Sequence, residues 1–150
     1  NSVKVIHECG SHLLNLINDI LDLSKIEARK LELKPGKVHL FELLHSAIEM
    51  CRIRAEQKGI QLIYDPDPAL PAVIYTDGRR LKQVLINLLN NAIKFTDRGQ
   101  VKFRVILQSL PPDSTQIVCL RFEVEDTGIG ISPDQLEKIF IPFERVSDPS

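Results

Sequence analysis

The chain has 150 residues, 43% of them apolar, enough for one globular domain with an appended element but not for two full cores. Its 19 basic and 20 acidic residues leave a formal net charge of -1, so no positive surplus exists to neutralise a run of phosphates, and nucleic-acid binding is not expected. Cys9, Cys51 and Cys119 are odd in number, scattered and never paired as C-x-x-C, so they predict neither a disulfide framework nor a zinc site and read as small core residues in a reducing cytoplasm.

No apolar run approaches the length needed to cross a bilayer, and no charged-then-apolar leader opens the chain. A soluble, cytoplasmic piece is expected, with any membrane attachment left to a parent protein. From Val3 to about Leu31, the residues Ile6, Cys9, Leu13, Leu16, Ile20 and Leu23 step by three and four, and Ile17 and Leu21 widen the stripe. Such a seam cannot be buried by one helix against itself, so it predicts a bundle with another helix, another chain or both. Pro35 and Gly36 are read as its end.

A second amphipathic helix fits Phe41 to Lys58, with Leu43, Leu44, Ala47, Ile48, Cys51 and Ala55 on one face and Gly59 as the stop. Ile60 to Tyr64 reads as a strand, and Asp65 to Pro71, with three prolines and two aspartates, as a loop. A short strand, Val73 to Tyr75, precedes a third helix from about Gly78 to Phe95, and Gly99 closes the turn after it. Val101 to Leu107 and Ile117 to Glu125 alternate like strands around a hairpin loop at Leu110 to Ser114. Ser132 and Pro133 then start a short helix reaching Phe140. Helices collected with an antiparallel sheet predict an α+β sandwich.

Two segments carry chemistry. On the third helix, a wheel sets Leu81, Val84, Leu85, Leu88, Leu89 and Ala92 on one arc, with Asn87, Asn91 and Lys94 in a row on the other side. Asparagine is a mediocre helix former, so such a cluster costs helicity that some use should offset. Its amide oxygen suits Mg²⁺, which takes its remaining oxygens from waters and substrate phosphates, and Lys94 offers a point charge to the same phosphates. An ordinary solvated face is the competing reading. The second segment is Asp126-Thr127-Gly128-Ile129-Gly130, directly after an alternating strand. Glycines two apart permit unusual backbone angles and close approach, and a strand-end aspartate can accept a hydrogen bond from an exocyclic amine. A plain turn is the alternative. The phosphate loop G-x-x-x-x-G-K-[ST] does not occur in the chain.

Taken together these segments resemble the histidine kinases of two-component signalling, within the wider ATPase superfamily that includes gyrase and mismatch-repair ATPases. Leu81 to Thr96 is similar to the asparagine box of that family, Asp126 to Ile131 to its first glycine box, and Ile139-Phe140-Ile141-Pro142-Phe143 to its phenylalanine box. His12 to Ala28 resembles the second helix of its dimerisation hairpin, so the resemblance spans essentially the whole chain. It implies a two-layer α/β sandwich of the histidine kinase/gyrase ATPase type with an N-terminal dimerisation helix. Residues 1–33 would be that helix, and residues 34–150 the ATP-binding domain, stopping before the nucleotide lid is complete. It also implies that Asn91 coordinates Mg²⁺, that Asn87 and Lys94 contact the ATP phosphates, and that Phe95 packs near the adenine. Asp126 would receive the adenine amine, while Gly128 and Gly130 let the loop fold over the nucleotide. Phe140 and Phe143 are equally readable as core anchors. The implied partners are a second copy of the chain and a response-regulator receiver domain.

The family transfers the γ-phosphoryl group to a histidine in a box of the form H-[ED]-x-x-[ST]-P, which does not occur in this sequence. His7 beside Glu8 lacks the proline, and His12, His39 and His45 read as surface or half-buried residues. No catalytic residue is identified in the chain itself, and the fragment is expected to bind ATP feebly and not to phosphorylate itself. Two rival readings are a non-catalytic dimerisation and nucleotide-sensing module, and an ATP hydrolase of the same superfamily. The hydrolases place a glutamate one turn before the magnesium asparagine, where this chain has Asn87.

Overall fold

A computed structural model describes residues 2–108 and 117–141 of the chain. The chain falls into two compact units that part between Lys34 and Pro35. The first holds one long helix, α1 (Ser2–Glu27). Its apolar residues Ile6, Leu13, Leu16, Ile17, Ile20 and Leu21 are all exposed. The helix stops earlier than the predicted Leu31. Arg29 adopts a left-handed conformation (φ 52), and Lys30 N donates to Lys25 O at 2.8 Å while Arg29 N donates to Ile26 O at 2.9 Å. That is the hydrogen-bond pattern with which helices commonly end at a glycine, here built on an arginine. Nothing in an arginine side chain marks it as a terminator, so periodicity and residue type point past it to Pro35 and Gly36.

The second unit contains β1 (Gly36–His39), α2 (Leu40–Lys58), β2 (Gln61–Pro66), β3 (Val73–Thr76), α3 (Gly78–Phe95), β4 (Gln100–Gln108), β5 (Cys119–Asp126) and a one-turn α4 (Pro133–Leu136). Strand β1 begins at Gly36, where only a helix stop is expected. It pairs antiparallel with β3, Lys37 opposite Tyr75 and Val38 opposite Ile74. The main sheet runs β2-β4-β5 and is mixed rather than antiparallel: β2 and β4 are parallel, β4 and β5 antiparallel. A parallel pair needs a long crossover, usually a helix. Helix α3 lies between the two strands in sequence and forms part of that crossover. Pro66, expected in a loop, ends β2, where the strand lies at the sheet edge and a missing donor is tolerated.

Alternation along β4 builds the two layers. Val101, Phe103 and Val105 are buried, and Tyr64, Phe103 and Phe122 from three adjacent strands stack at centroid distances of 5.9 and 6.5 Å. The other face of β4 is ionic, with Lys102 2.9 Å from Asp65 and Arg104 3.2 and 3.0 Å from Glu123 and Glu125. Onto the apolar face pack Leu44, Ile48 and Cys51 of α2 and Leu85, Leu89 and Ile93 of α3. This is the expected α+β fold, helices on one side of a sheet. Burial pushes the Cys51 thiol above its ordinary pKa, partly countered by Arg54, and raises the Tyr64 phenol as well. Cys51 is thus the core residue that its sequence context predicts, whereas Cys9 and Cys119 are exposed. The predicted loop at Leu110 to Ser114 lies outside the described residues. Among the described residues, no helix is long and apolar enough to cross a membrane.

Candidate functional site

Helix α3 starts where Asp77 accepts a hydrogen bond from Arg80 N at 3.1 Å, an N-cap that satisfies one of the first-turn donors. Gly78 packs closely beside it, where a Cβ would stand 2.8 Å from a methyl of Val38 in β1 and force it to shift. The buried arc of α3 is Leu85, Leu89, Ala92 and Ile93. Two members of the predicted arc are not on it: Val84 is 54% and Leu88 47% exposed. Six apolar positions span more of the helix than one sheet can cover, and the sheet takes the side carrying Ile93. Val84 and Leu88 are left beside the asparagine row with Phe95, 41% exposed.

Asn87, Asn91 and Lys94 are exposed on the side of α3 away from the core, as their spacing predicts. The Lys94 ammonium lies 4.9 Å from the centre of the Phe95 ring, a cation-π arrangement that holds the charge at the helix C-terminus. Asn90, which the sequence does not single out, has a buried amide oxygen with no hydrogen-bond partner among the described residues.

The second motif begins at the last residue of β5. Asp126 Oδ1 accepts from Gly128 N at 2.8 Å, closing a tight turn and leaving the other carboxylate oxygen outside this bond. Thr127, to which the sequence gives no role, ties the turn to the start of β4: its N–H donates to Gln100 O at 3.1 Å and its hydroxyl accepts from Gln100 N at 3.0 Å. Gly99 (φ 117) makes room for that hydroxyl.

Gly128 joins the two motifs. A Cβ there would overlap the Phe95 carbonyl oxygen and lie 2.8 Å from Asp126 Oδ1, while Ile129 N donates to the same carbonyl at 3.3 Å. The glycine turn is therefore seated on the last residue of the asparagine helix. Gly130 serves differently, with a left-handed backbone (φ 71) and no described residue within 4 Å of where a Cβ would stand. The predicted helix to Phe140 is only one turn long, with Ser132 N donating to Gln135 Oε1 at 3.1 Å. Phe140 is 87% exposed, which removes its reading as a core anchor, and Phe143 lies outside the described residues.

A cavity of about 360 Å³ lies elsewhere, lined by Ile74, Leu81, Leu120 and Phe122 among others, near the opposite end of α3. Its walls are mostly apolar and contain none of the residues of the two motifs that carry polar chemistry. Leu81 and Phe95 are separated by about 20 Å along the helix axis, so this cavity lies away from the turn at which the two motifs meet. For Mg²⁺ the donor set is informative. Among the described residues, no group of three histidine, cysteine or carboxylate side chains is placed to hold a metal. An exposed asparagine oxygen fits an ion that takes its other oxygens from phosphates and water.

Residues 76–150 match the family described as histidine kinase-, DNA gyrase B-, and HSP90-like ATPase. The chain belongs to this family. Its relatives within it are sensor histidine kinases, and the chain corresponds to their ATP-binding core. It is 41% identical over 146 residues to the aerobic respiration control sensor protein ArcB of Escherichia coli (strain K12), covering 97% of this chain and 18% of that protein. The structure is similar to full-length ShkA crystallised in complex with AMPPNP, with a TM-score of 0.69 and 36% identity over 85% of this chain and 26% of that one. It is also similar to the histidine kinase ThkA in complex with the response regulator protein TrrA, with a TM-score of 0.63 and 25% identity over 90% of this chain and 38% of that one. The chain spans 7% to 18% of the length of the curated relatives ArcB and the Dictyostelium discoideum hybrid signal transduction histidine kinase B.

Proposed function

We propose that this chain holds Mg²⁺-ATP where the end of α3 meets the turn after β5, and that the protein carrying it transfers the γ-phosphoryl group to a histidine in two-component signalling. The observation that supports the reading is the seating of Gly128 on the Phe95 carbonyl, which brings together two motifs 31 positions apart in the chain (126 − 95). ATP supplies the transferable phosphoryl group, and the chain's work is binding, orientation and charge neutralisation. Asn91 offers a hard amide oxygen to Mg²⁺. Asn87 and Lys94, on the same side of the helix, face the phosphates, where Lys94 would leave the Phe95 ring to act as a point charge. Asp126 keeps one carboxylate oxygen for the adenine amine while the other holds the turn. Phe95 supplies apolar surface to the base.

Residues 1–33 are proposed as the second helix of a dimerisation hairpin, and residues 34–150 as the ATP-binding domain. A second copy of the chain and a response-regulator receiver domain are the proposed partners. ThkA, whose structure resembles this one, is found with such a regulator. None of His7, His12, His39 and His45 stands in a phosphoacceptor box, so the acceptor is proposed to lie outside this chain and the chain alone not to phosphorylate itself. The cytoplasm is the proposed location.

Titration with a fluorescent ATP analogue, with and without Mg²⁺, tests the site. Asn91→Ala is expected to abolish the Mg²⁺-dependent part of the affinity, and Asp126→Ala to weaken binding by one to two orders of magnitude, about 1.5–3 kcal/mol for a hydrogen bond to a charged group. Binding that ignores both substitutions would place the nucleotide elsewhere.

A further inference from the structure

The last four carbonyls of a helix have no partners within it and must find donors elsewhere. In α3 these belong to Ala92, Ile93, Lys94 and Phe95, and each is satisfied from outside the helical ladder. Thr96 Oγ1 donates to Ala92 O at 2.8 Å, and Ile129 N to Phe95 O at 3.3 Å. The middle two are taken by one side chain: Lys58 Nζ donates to Ile93 O at 3.0 Å and to Lys94 O at 2.6 Å. The same ammonium forms an ion pair with Asp97, 3.4 Å from its Oδ1, just beyond α3. Lys58 is the last residue of α2, immediately before Gly59 (φ 72), whose left-handed turn ends that helix and leads into β2.

We infer that Lys58 is a positioning residue for the nucleotide site. Its charge sits at the negative end of the α3 dipole. It pins Ile93 and Lys94, the two residues that lead into Phe95, whose carbonyl carries the glycine turn. A lysine suits this post because an ammonium has three independent donors, whereas a guanidinium presents a planar fork. Without it, two helix-end carbonyls lose the side-chain donor that holds them. The C-terminal turn of α3 would then fray, carrying Lys94, Phe95 and the contact with Gly128 out of register. The inference rests on the proposed nucleotide site and adds to it a residue that touches neither metal nor nucleotide.

The test compares wild type, Lys58→Met, Lys58→Arg and the α2 core variant Ile48→Val in the full chain. Nucleotide affinity is read by Mg²⁺-ATP titration, and the position of the turn by the backbone amide resonances of Gly128 and Ile129. Lys58→Met is expected to lose affinity roughly tenfold, the lower end of the loss caused by removing a residue that supports the orientation of a ligand-binding group. It should also shift both resonances. Lys58→Arg should bind more tightly than Lys58→Met, and Ile48→Val should leave affinity and both resonances unchanged, although it too removes packing from α2. Wild-type binding accompanied by unchanged affinity in Lys58→Met, or by an equal loss in Ile48→Val, would overturn the role of Lys58 and leave the site standing. Failure of wild type to bind would overturn both.

Discussion

Gly128 and Gly130 are two positions apart and are glycines for unlike reasons, one steric and one conformational. At 128 any side chain meets the Phe95 carbonyl; at 130 no described residue stands in the way but the backbone is left-handed. Gly128→Ala is therefore expected to cost about 1–3 kcal/mol in stability, the range for forced overpacking, and to lower ATP affinity as the turn lifts from α3. Gly130→Ala should cost only about 1–2 kcal/mol, the penalty of a left-handed alanine. Denaturant unfolding and nucleotide titration of the two variants would check this, and equal losses of affinity would contradict the separate roles. Both glycines and Asp126 are legible in the sequence, because residue type alone signals a tight turn. The contact of Gly128 with Phe95 is not, because the obstacle lies 33 positions away (128 − 95). Thr127 and Lys58 escape notice for the same reason: threonine in a turn and lysine at a helix end are ordinary until their partners are known.

At the level of elements, α3 is the member whose sequence says most. Its bounds, Gly78 and Phe95, are those expected from periodicity, and its polar row faces away from the core. The direction of its apolar face differs from expectation, since Val84 and Leu88 are exposed and Ile93 is buried. A thermal or denaturant series can verify that orientation. Leu89→Ala should cost about 2–5 kcal/mol as a buried truncation, while Val84→Ala should stay within about 0.5 kcal/mol as a surface change. A large loss in the valine variant would mean that the exposed strip is covered in the folded protein. Helix ends divide similarly. Gly59 announces the end of α2, yet Arg29 ends α1 with the same left-handed geometry and no sequence signal. Strand β1 offers too few residues for alternation to register.

For the whole molecule, the exposed stripe of α1 bears on assembly. Leu13, Leu16 and Ile20 are all more than two-fifths exposed within the chain, an apolar surface that ordinary solvated helices do not carry. With a second copy as its proposed partner, the chain should sediment as a dimer, and Leu16→Asp should shift it to monomer without loss of helix content by circular dichroism. A wild-type chain that remained monomeric at tens of micromolar would contradict the assembly. Within the second unit, the ionic face of the sheet and its stacked aromatic face identify one side as the layer boundary, and among the described residues only the side bearing Phe103 receives helices.

Local chemistry was enough to establish which segments are helical, the order of the two chemical motifs, and the residue types available to a metal, phosphates and a base. Backbone periodicity and side-chain character are properties of a short stretch, so they can be read without a fold. Three features had to wait for the folded chain: the parallel run of β2 and β4, the inward turn of Ile93, and the convergence of Lys58 and Gly128 on the last turn of the asparagine helix. Those are choices among distant partners, made by how surfaces pack and which carbonyls still need donors, and no stretch of chain carries that information alone.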